Sequence, residues 1–192
     1  MRPDERARPA AAANLQPILR GELVELRPLR PDDFDSLHAV ASDPLIWEQH
    51  PVRDRYRVEV FRDFFRTGLE SGGALVVIDR SDGALIGSSR YHAHDPVRRE
   101  VEIGWTFLAR RYWGGRYNGE MKRLMLEHAF EFVDRVNFVI GPQNLRSRRA
   151  VEKIGATLIG SRVEENGRES VVYGLDRAAF LAHRRERTPA HD

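Results

Sequence analysis

The chain has 192 residues, of which 41% are hydrophobic and 31% are charged, the balance of an ordinary folded protein with one domain. It contains no cysteine, which excludes disulfides, thiolate metal sites and a cysteine nucleophile. Lysine and arginine number 31 against 29 acidic residues, so the overall charge is nearly balanced. Nucleic-acid binding generally needs a concentrated basic face, and this balance argues against that class.

The two ends of the chain differ in composition from its middle. Residues 1–17 and 184–192 are polar, contain proline and lack an apolar period, which predicts poorly ordered tails around a folded domain at 18–183. The N-terminal segment also lacks the apolar core of a secretory signal, so we expect a cytoplasmic protein. The longest apolar runs fall far short of the roughly 20 residues that span a bilayer, and we expect no membrane partner.

In chain order, strand and helix patterns alternate, which predicts a layered α/β domain. A charged, alternating segment at Glu22 to Arg27 predicts a strand, and two helices follow it. The remaining predicted elements are strands at Ala74 to Asp79, Ala84 to Tyr91, Arg99 to Leu108 and Val136 to Gly141, a long helix from Tyr117, a short helix from Asn144 to near Gly155, and a closing hairpin of Thr157 to Glu164 with Glu169 to Leu175 across Asn166-Gly167.

The strand at Arg99 to Leu108 carries the first candidate for chemistry. Two of its acidic residues are two positions apart, and residues so spaced point to the same side of a strand. Strict alternation predicts an apolar face made of Val101, Ile103, Trp105 and Phe107, and an opposite face made of Glu100, Glu102, Gly104 and Thr106.

The segment from Arg110 to Arg116 runs from this strand directly into the long helix and is rich in arginine and glycine. A helix N-terminus offers unpaired N–H groups and a partial positive charge, and glycines let the backbone approach a phosphate closely. The segment matches neither G-x-x-x-x-G-K-[ST] nor G-x-G-x-x-G, the motifs that are typical of ATP binding and of NAD binding. The sequence therefore does not indicate either of these nucleotides as the ligand. The alternative interpretation is a tight turn at Gly114 and Gly115 before a core helix.

The stretch from Glu102 to Gly155 resembles the GNAT superfamily of acyl-CoA N-acyltransferases, and most of all the branch that acetylates the N-termini of ribosomal proteins. The order of elements from Glu22 to Leu175 agrees with that family. The motifs that carry the resemblance are Glu102-Ile103-Gly104-Trp105, Arg111-Tyr112-Trp113-Gly114-Gly115, Asn144-Leu145-Arg146-Ser147 and Glu152-Lys153-Ile154-Gly155.

The resemblance implies a mixed, centrally splayed sheet of about seven strands with helices on both faces, and makes 18–183 an N-acetyltransferase domain. It also implies acetyl-CoA as co-substrate. Arg116 stands where the family has a small residue, and its side chain would either crowd the phosphates or add a charged bond to them. The implied cofactor-binding residues are Phe107, Leu108, Arg111, Trp113, Gly114, Gly115, Arg116, Tyr117, Asn144 and Ser147.

The implied reaction is direct attack of a primary amine on the thioester in a ternary complex. An amine attacks only as the free base. Removing its proton at pH 7 costs about 1 kcal/mol for an α-amine and about 4.6 kcal/mol for a lysine side chain. We expect Glu102 to be the general base, directly or through water, and the Leu108 N–H to bind the carbonyl oxygen. We expect Ser147 to give the leaving thiolate a proton or a hydrogen bond. Alternatively, Glu102 pairs with arginines and Ser147 is an ordinary first-turn hydroxyl.

The acceptor side is less defined by the sequence. By analogy with the family, Trp47, His50, Arg53 and Tyr56 would line the slot for the amine, which would belong to a protein N-terminus or a small molecule. An arginine-rich loop is also commonly just solvated. His92 and His94 lack a third ligand, so we expect no metal.

Two rival classes remain open at this point. The first is a non-catalytic acyl-CoA-binding or regulatory module, and the second, weaker one is a nucleic-acid or ribosome-binding protein. A homodimer is compatible with the sequence.

Overall fold

The computed structural model describes residues 12–164 and 167–187. Within them the chain forms one mixed sheet of eight strands and five α-helices. The strands are β1 (Leu19–Arg20), β2 (Val24–Pro28), β3 (Ala74–Asp79), β4 (Leu85–Asp95), β5 (Glu100–Leu108), β6 (Arg135–Ile140), β7 (Thr157–Val163) and β8 (Glu169–Asp176), and the helices are α1 (Phe34–Ala41), α2 (Val58–Glu70), α3 (Arg116–Ala129), α4 (Leu145–Glu152) and α5 (Arg177–Arg187).

The strand order is β1-β2-β3-β4-β5-β6-β8-β7. Among the described strands every neighbouring pair is antiparallel except β5 and β6, which are parallel because α3 connects them. The predicted mixed, splayed sheet with helices on both faces is confirmed. The count exceeds seven because the two-residue strand β1 pairs with β2.

The core has two parts, one on each face of the sheet. Alternate residues of β3 divide between them: Leu75 and Val77 pack in the part that contains α3, whereas Ala74 and Val76 pack in the part that contains α1 and α2. The second part is dominated by aromatic rings from α2 and the loop before it. The sheet therefore separates two different environments.

A bulge at Trp105 changes which residues of β5 share a face. Trp105 has a φ of 51°, and the β4–β5 register shifts between Ser88 and Arg90. Val101 and Ile103 face the α3 side, but Trp105 and Phe107 pack with α1 and α2. The predicted uniform alternation of β5 is therefore wrong beyond Ile103, because the extra residue of a bulge reverses the side to which later side chains point.

The C-terminal end of the described chain is a helix that the sequence pattern did not predict. Phe180 of α5 is 5% exposed, and its ring lies 5.3 Å from that of Phe130 at the end of α3. The helix runs to Arg187, into the segment expected to be a tail, while residues 1–11 and 188–192 lie outside the described residues. The predicted turn at Asn166-Gly167 is described only from Gly167, whose φ is 77°.

Glu120 of α3 holds the start of β2. Its carboxylate accepts hydrogen bonds from the backbone N–H groups of Glu22, Leu23 and Val24 at 2.9, 2.7 and 2.8 Å. Burial alone would raise the pKa of Glu120, but these three donors outweigh it, and the pKa lies below its ordinary value. The carboxylate therefore stabilises the fold in its charged form.

We predict that Glu120→Gln lowers the free energy of unfolding by about 1–3 kcal/mol at pH 7, because one amide oxygen cannot satisfy three donors. A group with a lowered folded-state pKa stabilises above its unfolded pKa of about 4.3 and loses that contribution as the pH falls through the folded value. Urea unfolding should show the deficit at pH 7 and a smaller one in acid. Glu127→Gln, a control on the same helix, should change the free energy of unfolding little. Equal effects of the two variants would contradict the stabilising role of the Glu120 carboxylate at the start of β2.

Candidate active site

The parallel strands β5 and β6 separate shortly after they begin. They pair at Glu100 with Arg135, Val101 with Val136 and Glu102 with Asn137, and no later pair forms between them. The Ala109 N–H donates to the Ile86 carbonyl on β4 at 2.8 Å, so by alternation the amide of Leu108 points to the opposite edge, toward the separation. An unpaired strand edge is thus exposed between β5 and β6.

A cleft of about 1170 Å³ opens at this separation. It runs between β5, the N-terminal half of α3, α4 and part of α5. Among the described residues that line it there is no aspartate or glutamate, and the cations are Arg116, Lys122, Arg123, Arg146, Arg149, Lys153 and Arg184. A cleft lined by one sign of charge attracts a ligand of the opposite sign, here a polyanion.

The loop between β5 and α3 forms one end of the cleft. Gly114 has a φ of 68°, a conformation that favours glycine, and Gly115 is the N-cap of α3. Arg116 is the first residue of that helix, which has 14 residues. Gly114, Gly115 and Arg116 all line the cleft, so the N-terminal N–H groups of α3 lie at its wall, where an anion is stabilised.

Ten of the predicted site residues line this one cleft. They come from the loop after α1, the end of β5, the glycine-containing loop and the start of α4, and they are Trp47, His50, Phe107, Leu108, Trp113, Gly114, Gly115, Arg116, Asn144 and Ser147. The structure thus brings together the cofactor-binding and the acceptor-side candidates that the sequence places up to 100 residues apart.

Four predicted residues are not among those that line the cleft. Arg111 donates to the Tyr112 hydroxyl at 2.9 Å, and the Tyr117 hydroxyl lies 3.3 Å from Asp79 Oδ2, so both side chains turn toward β3. The remaining two, Arg53 and Tyr56, are not among the lining residues either. The side chains of all four therefore do not line the cleft, although the backbone of Arg111 belongs to the loop that enters α3.

The start of α4 is built around Asn144. Its Oδ1 accepts a hydrogen bond from the Ser147 N–H at 3.2 Å, which caps the helix. The Ser147 hydroxyl lines the cleft and has no hydrogen-bond partner among the described residues. Arg146, which the sequence did not single out, stacks 3.9 Å from the centroid of Trp113 and donates to the Ile46 carbonyl.

Glu102 occupies the last paired position before β5 and β6 separate. It does not itself line the cleft, but it lies on the same sheet face as Phe107, which does. The residue is 5% exposed, and its Oε2 lies 3.3 Å from Arg162 Nη2. Burial raises the pKa of Glu102 to about 7 although Arg162 opposes the shift. The carboxylate can therefore accept a proton near neutral pH.

Residues 24–157 match the family model described as the acetyltransferase (GNAT) domain. This match covers more than half of the chain and includes β5, the loop, α3 and α4. The chain belongs to the GNAT acetyltransferase family. Its sheet, its cleft and the glycine-containing loop are those of an acyl-CoA-dependent N-acetyltransferase.

Solved structures of other acetyltransferases share the fold. A probable GNAT acetyltransferase from Chromobacterium violaceum is 23% identical with a TM-score of 0.78, over 94% of this chain and 96% of that one. A putative acetyltransferase from T. thermophilus is 27% identical with a TM-score of 0.71, over 88% and 94%. Spermidine N-acetyltransferase from Vibrio cholerae, in complex with CoA and spermine, is 18% identical with a TM-score of 0.64, over 84% and 99%.

His50 is a poor general base in this acetyltransferase. Its Nδ1 accepts a hydrogen bond from the Val52 N–H at 2.9 Å, and Arg55 Nη1 lies 3.2 Å from its Nε2. Burial and the charge of Arg55 lower the pKa of His50 to about 3. The ring is neutral at pH 7 and holds a proton too weakly to take one from an amine.

Lys122 is a further cleft residue that sequence reasoning missed. It is 6% exposed, its Nζ donates to Thr106 Oγ1 at 2.8 Å, and it lies 5.5 Å from the Phe138 ring centroid. Burial lowers the pKa of Lys122 to about 7. From the sequence alone, Lys122 would be taken for an exposed lysine of α3. Its burial follows only from the helix face that packs against the sheet.

Among the described residues no group of three or more histidines, aspartates or glutamates is placed to hold a metal ion. His92 stacks 4.8 Å from Trp105 and His94 lies 5.5 Å from Phe132, so both rings are engaged with aromatic neighbours. In the same part of the chain, none of the helices has the length and apolar character needed to cross a bilayer.

We predict that Lys122→Met raises the free energy of unfolding at pH 7 by about 1–4 kcal/mol, because a buried cation without a carboxylate is replaced by an apolar side chain of similar length. With a folded-state pKa of about 7 and an unfolded value near 10.4, Lys122 binds more protons in the unfolded chain between these values. The wild type therefore gains stability as the pH rises through this window.

Urea unfolding at pH 7 and pH 10 checks this prediction. The advantage of Lys122→Met should shrink toward pH 10. Lys153→Met, at the rim of the same cleft, is the matched control and should show no such pH dependence. An advantage of Lys122→Met that is equal at both pH values would contradict the burial of a titrating amine.

Proposed function

We propose that this acetyltransferase moves the acetyl group of acetyl-CoA to a primary amine by direct attack in a ternary complex. The observation that carries the proposal is a cleft whose charged lining residues are all basic and which opens onto the unpaired edge of β5. Acetyl-CoA supplies the acetyl group as a thioester and carries several phosphate charges. A basic cleft with a free strand edge fits both its phosphates and its amide-containing arm.

The residues of the cleft divide between these two parts of the cofactor. The N–H groups at Gly114, Gly115 and Arg116 would hold the diphosphate at the start of α3. The β5 edge at Phe107 and Leu108 would pair with the pantetheine arm as an added strand does. The guanidinium of Arg116 has no ion-pair partner within the described residues, which favours a charged bond to phosphate over crowding.

In the proposed mechanism Glu102 accepts the proton of the attacking amine, directly or through a water. Its pKa of about 7 matches this task, since a base works best when its pKa lies near the working pH. The Leu108 N–H, which points into the separation, donates to the carbonyl oxygen as charge develops there. Ser147, with an unpartnered hydroxyl on the cleft wall, donates to the departing sulfur.

The acceptor is proposed to be a protein N-terminal α-amine or a small-molecule amine. The likeness to the branch that acetylates ribosomal-protein N-termini supports the first, and the spermine in the Vibrio cholerae structure illustrates the second. At pH 7 the deprotonation of an α-amine costs less free energy than that of a lysine side chain, which favours an α-amine as the acceptor.

We predict that Glu102→Gln lowers turnover about a hundredfold or more while leaving CoA affinity unchanged, because the base is lost and the cleft is intact. For the wild type, turnover should rise with pH through about 7 as Glu102 loses its proton, and this rise should be absent from the variant. Steady-state kinetics from pH 5.5 to 9 measure both. Glu100→Gln, two residues earlier on the same strand, should behave as wild type; unchanged turnover in Glu102→Gln would remove Glu102 from the mechanism.

We predict that Arg116→Ala weakens CoA binding roughly tenfold and makes it less dependent on salt, because one charged bond to phosphate is lost. Calorimetric titration with CoA at two salt concentrations measures both effects. Arg98→Ala, which removes an arginine whose side chain is 70% exposed in the β4–β5 turn, is the control. Tighter binding by Arg116→Ala would mean that the side chain crowds the phosphates.

A further inference from the structure

Two arginines that pack with the aromatic rings of α2, Arg55 and Arg90, have no acidic partner among the described residues. Arg90 of β4 is 4% exposed; its Nη2 donates to the Phe64 carbonyl at 3.3 Å, while its buried Nε has no hydrogen-bond partner. Arg55, half-buried in the loop before α2, lies 3.2 Å from His50 Nε2 through its Nη1. Within the described residues neither guanidinium has a carboxylate at ion-pair distance. Buried charges are normally paired, so these two cations point to an anion from outside the chain.

Both guanidiniums lie against the ring of Phe64, and together with their aromatic neighbours they form what we call the arginine pocket. Arg55 Cζ lies 4.7 Å from the Phe64 centroid and 5.1 Å from that of Trp47. Arg90 Cζ lies 5.7 Å from the same Phe64 centroid and 4.8 Å from that of Trp105. Such contacts orient a cation but do not neutralise it. Both positive charges therefore lack a counter-charge from the described residues.

The electrostatics of the pocket support this interpretation. Burial lowers the pKa of Arg55 to about 10, and repulsion by Arg90 acts in the same direction. Burial alone lowers the pKa of Arg90 to about 10. Both groups are still cationic at pH 7, and each is destabilised by the absence of a counter-charge. A bound anion would remove that cost.

The pocket adjoins both the cleft and the proposed base. Trp47 and His50, which contact Arg55, also line the cleft. Across β4 and β5, Arg90 pairs with Gly104 and His92 pairs with Glu102, so Arg90 and Glu102 are diagonal neighbours on one sheet face. Diagonal neighbours are about 7–8 Å apart. The proposed base and Arg90 therefore share one sheet face, and Arg55 connects that region to the cleft through Trp47 and His50.

We infer that the acetyl acceptor is a primary amine that also carries a carboxylate a few bonds away, as an amino acid does, and that Arg55 and Arg90 bind this carboxylate. The inference rests on the proposed acetyl transfer and names its substrate class. A polyamine such as the spermine in the Vibrio cholerae structure has the opposite charge and would be repelled by this pocket. Arginine suits the role because its planar fork matches a carboxylate.

The test compares L-amino acids with their primary amides, which keep the amine and lose the negative charge. In steady-state assays with acetyl-CoA, the best acids should exceed their own amides at least tenfold in kcat/KM. Arg55→Met should remove this preference through KM with little change in kcat, and Arg55→Lys should keep part of it. Arg66→Met, an exposed arginine of α2, is the control and should keep the full preference.

Calorimetric binding of the same acid–amide pairs to the CoA-saturated protein separates failure of the pocket from failure of the proposed function. If no amine is acetylated but acids still bind more tightly than amides and Arg55→Met abolishes the difference, the pocket stands and the acetyl transfer does not. If amides match acids in the wild type, or the preference for acids survives in both Arg55→Met and Arg90→Met, the inference is wrong.

Discussion

The short parallel ladder between β5 and β6 determines the rest of the site. It ends after the Glu102–Asn137 pair, and the bulge at Trp105 then increases the twist of β5 just where its β6 partner is lost. Because the ladder ends, the outer edge of β5 keeps a free N–H at Leu108, whose carbonyl accepts a hydrogen bond from Trp113 Nε1 at 2.9 Å. Because α3 starts immediately after that edge, its N-terminal N–H groups face the same space.

The bulge also separates the two chemical environments of the site. It sends Thr106 toward α3, where its hydroxyl accepts from Lys122, and it sends Phe107 toward the aromatic rings of α1, α2 and the loop between them. On the α3 side the cleft is basic and suits a polyanion. On the other side lie a buried carboxylate, Glu102, which pairs with Arg162, and the guanidiniums of Arg55 and Arg90, which have no carboxylate at ion-pair distance among the described residues. These buried charges lower the stability of the ligand-free protein. Titratable groups with such perturbed environments are typical of functional sites.

Much of the fold and part of the site followed from sequence pattern. The predicted bounds of the strand at Ala74–Asp79 agree with the structure. The glycine-containing loop leads directly from β5 into the N-terminus of α3, as the sequence pattern predicted. Other features could not be predicted, because they depend on tertiary contacts. The reversal at Trp105 needs the register of β4, the burial of Lys122 needs Phe138 of a neighbouring strand, and the Arg55–Arg90 pocket needs two segments brought together by α2.

A crystal structure with bound CoA tests the central claim most directly. The account predicts diphosphate oxygens within hydrogen-bond distance of the N–H groups at Gly114 to Arg116, and a pantetheine arm that pairs with the β5 edge so that its sulfur lies between β5 and β6. A diphosphate bound elsewhere, or a sulfur directed away from the separation of these strands, would contradict it.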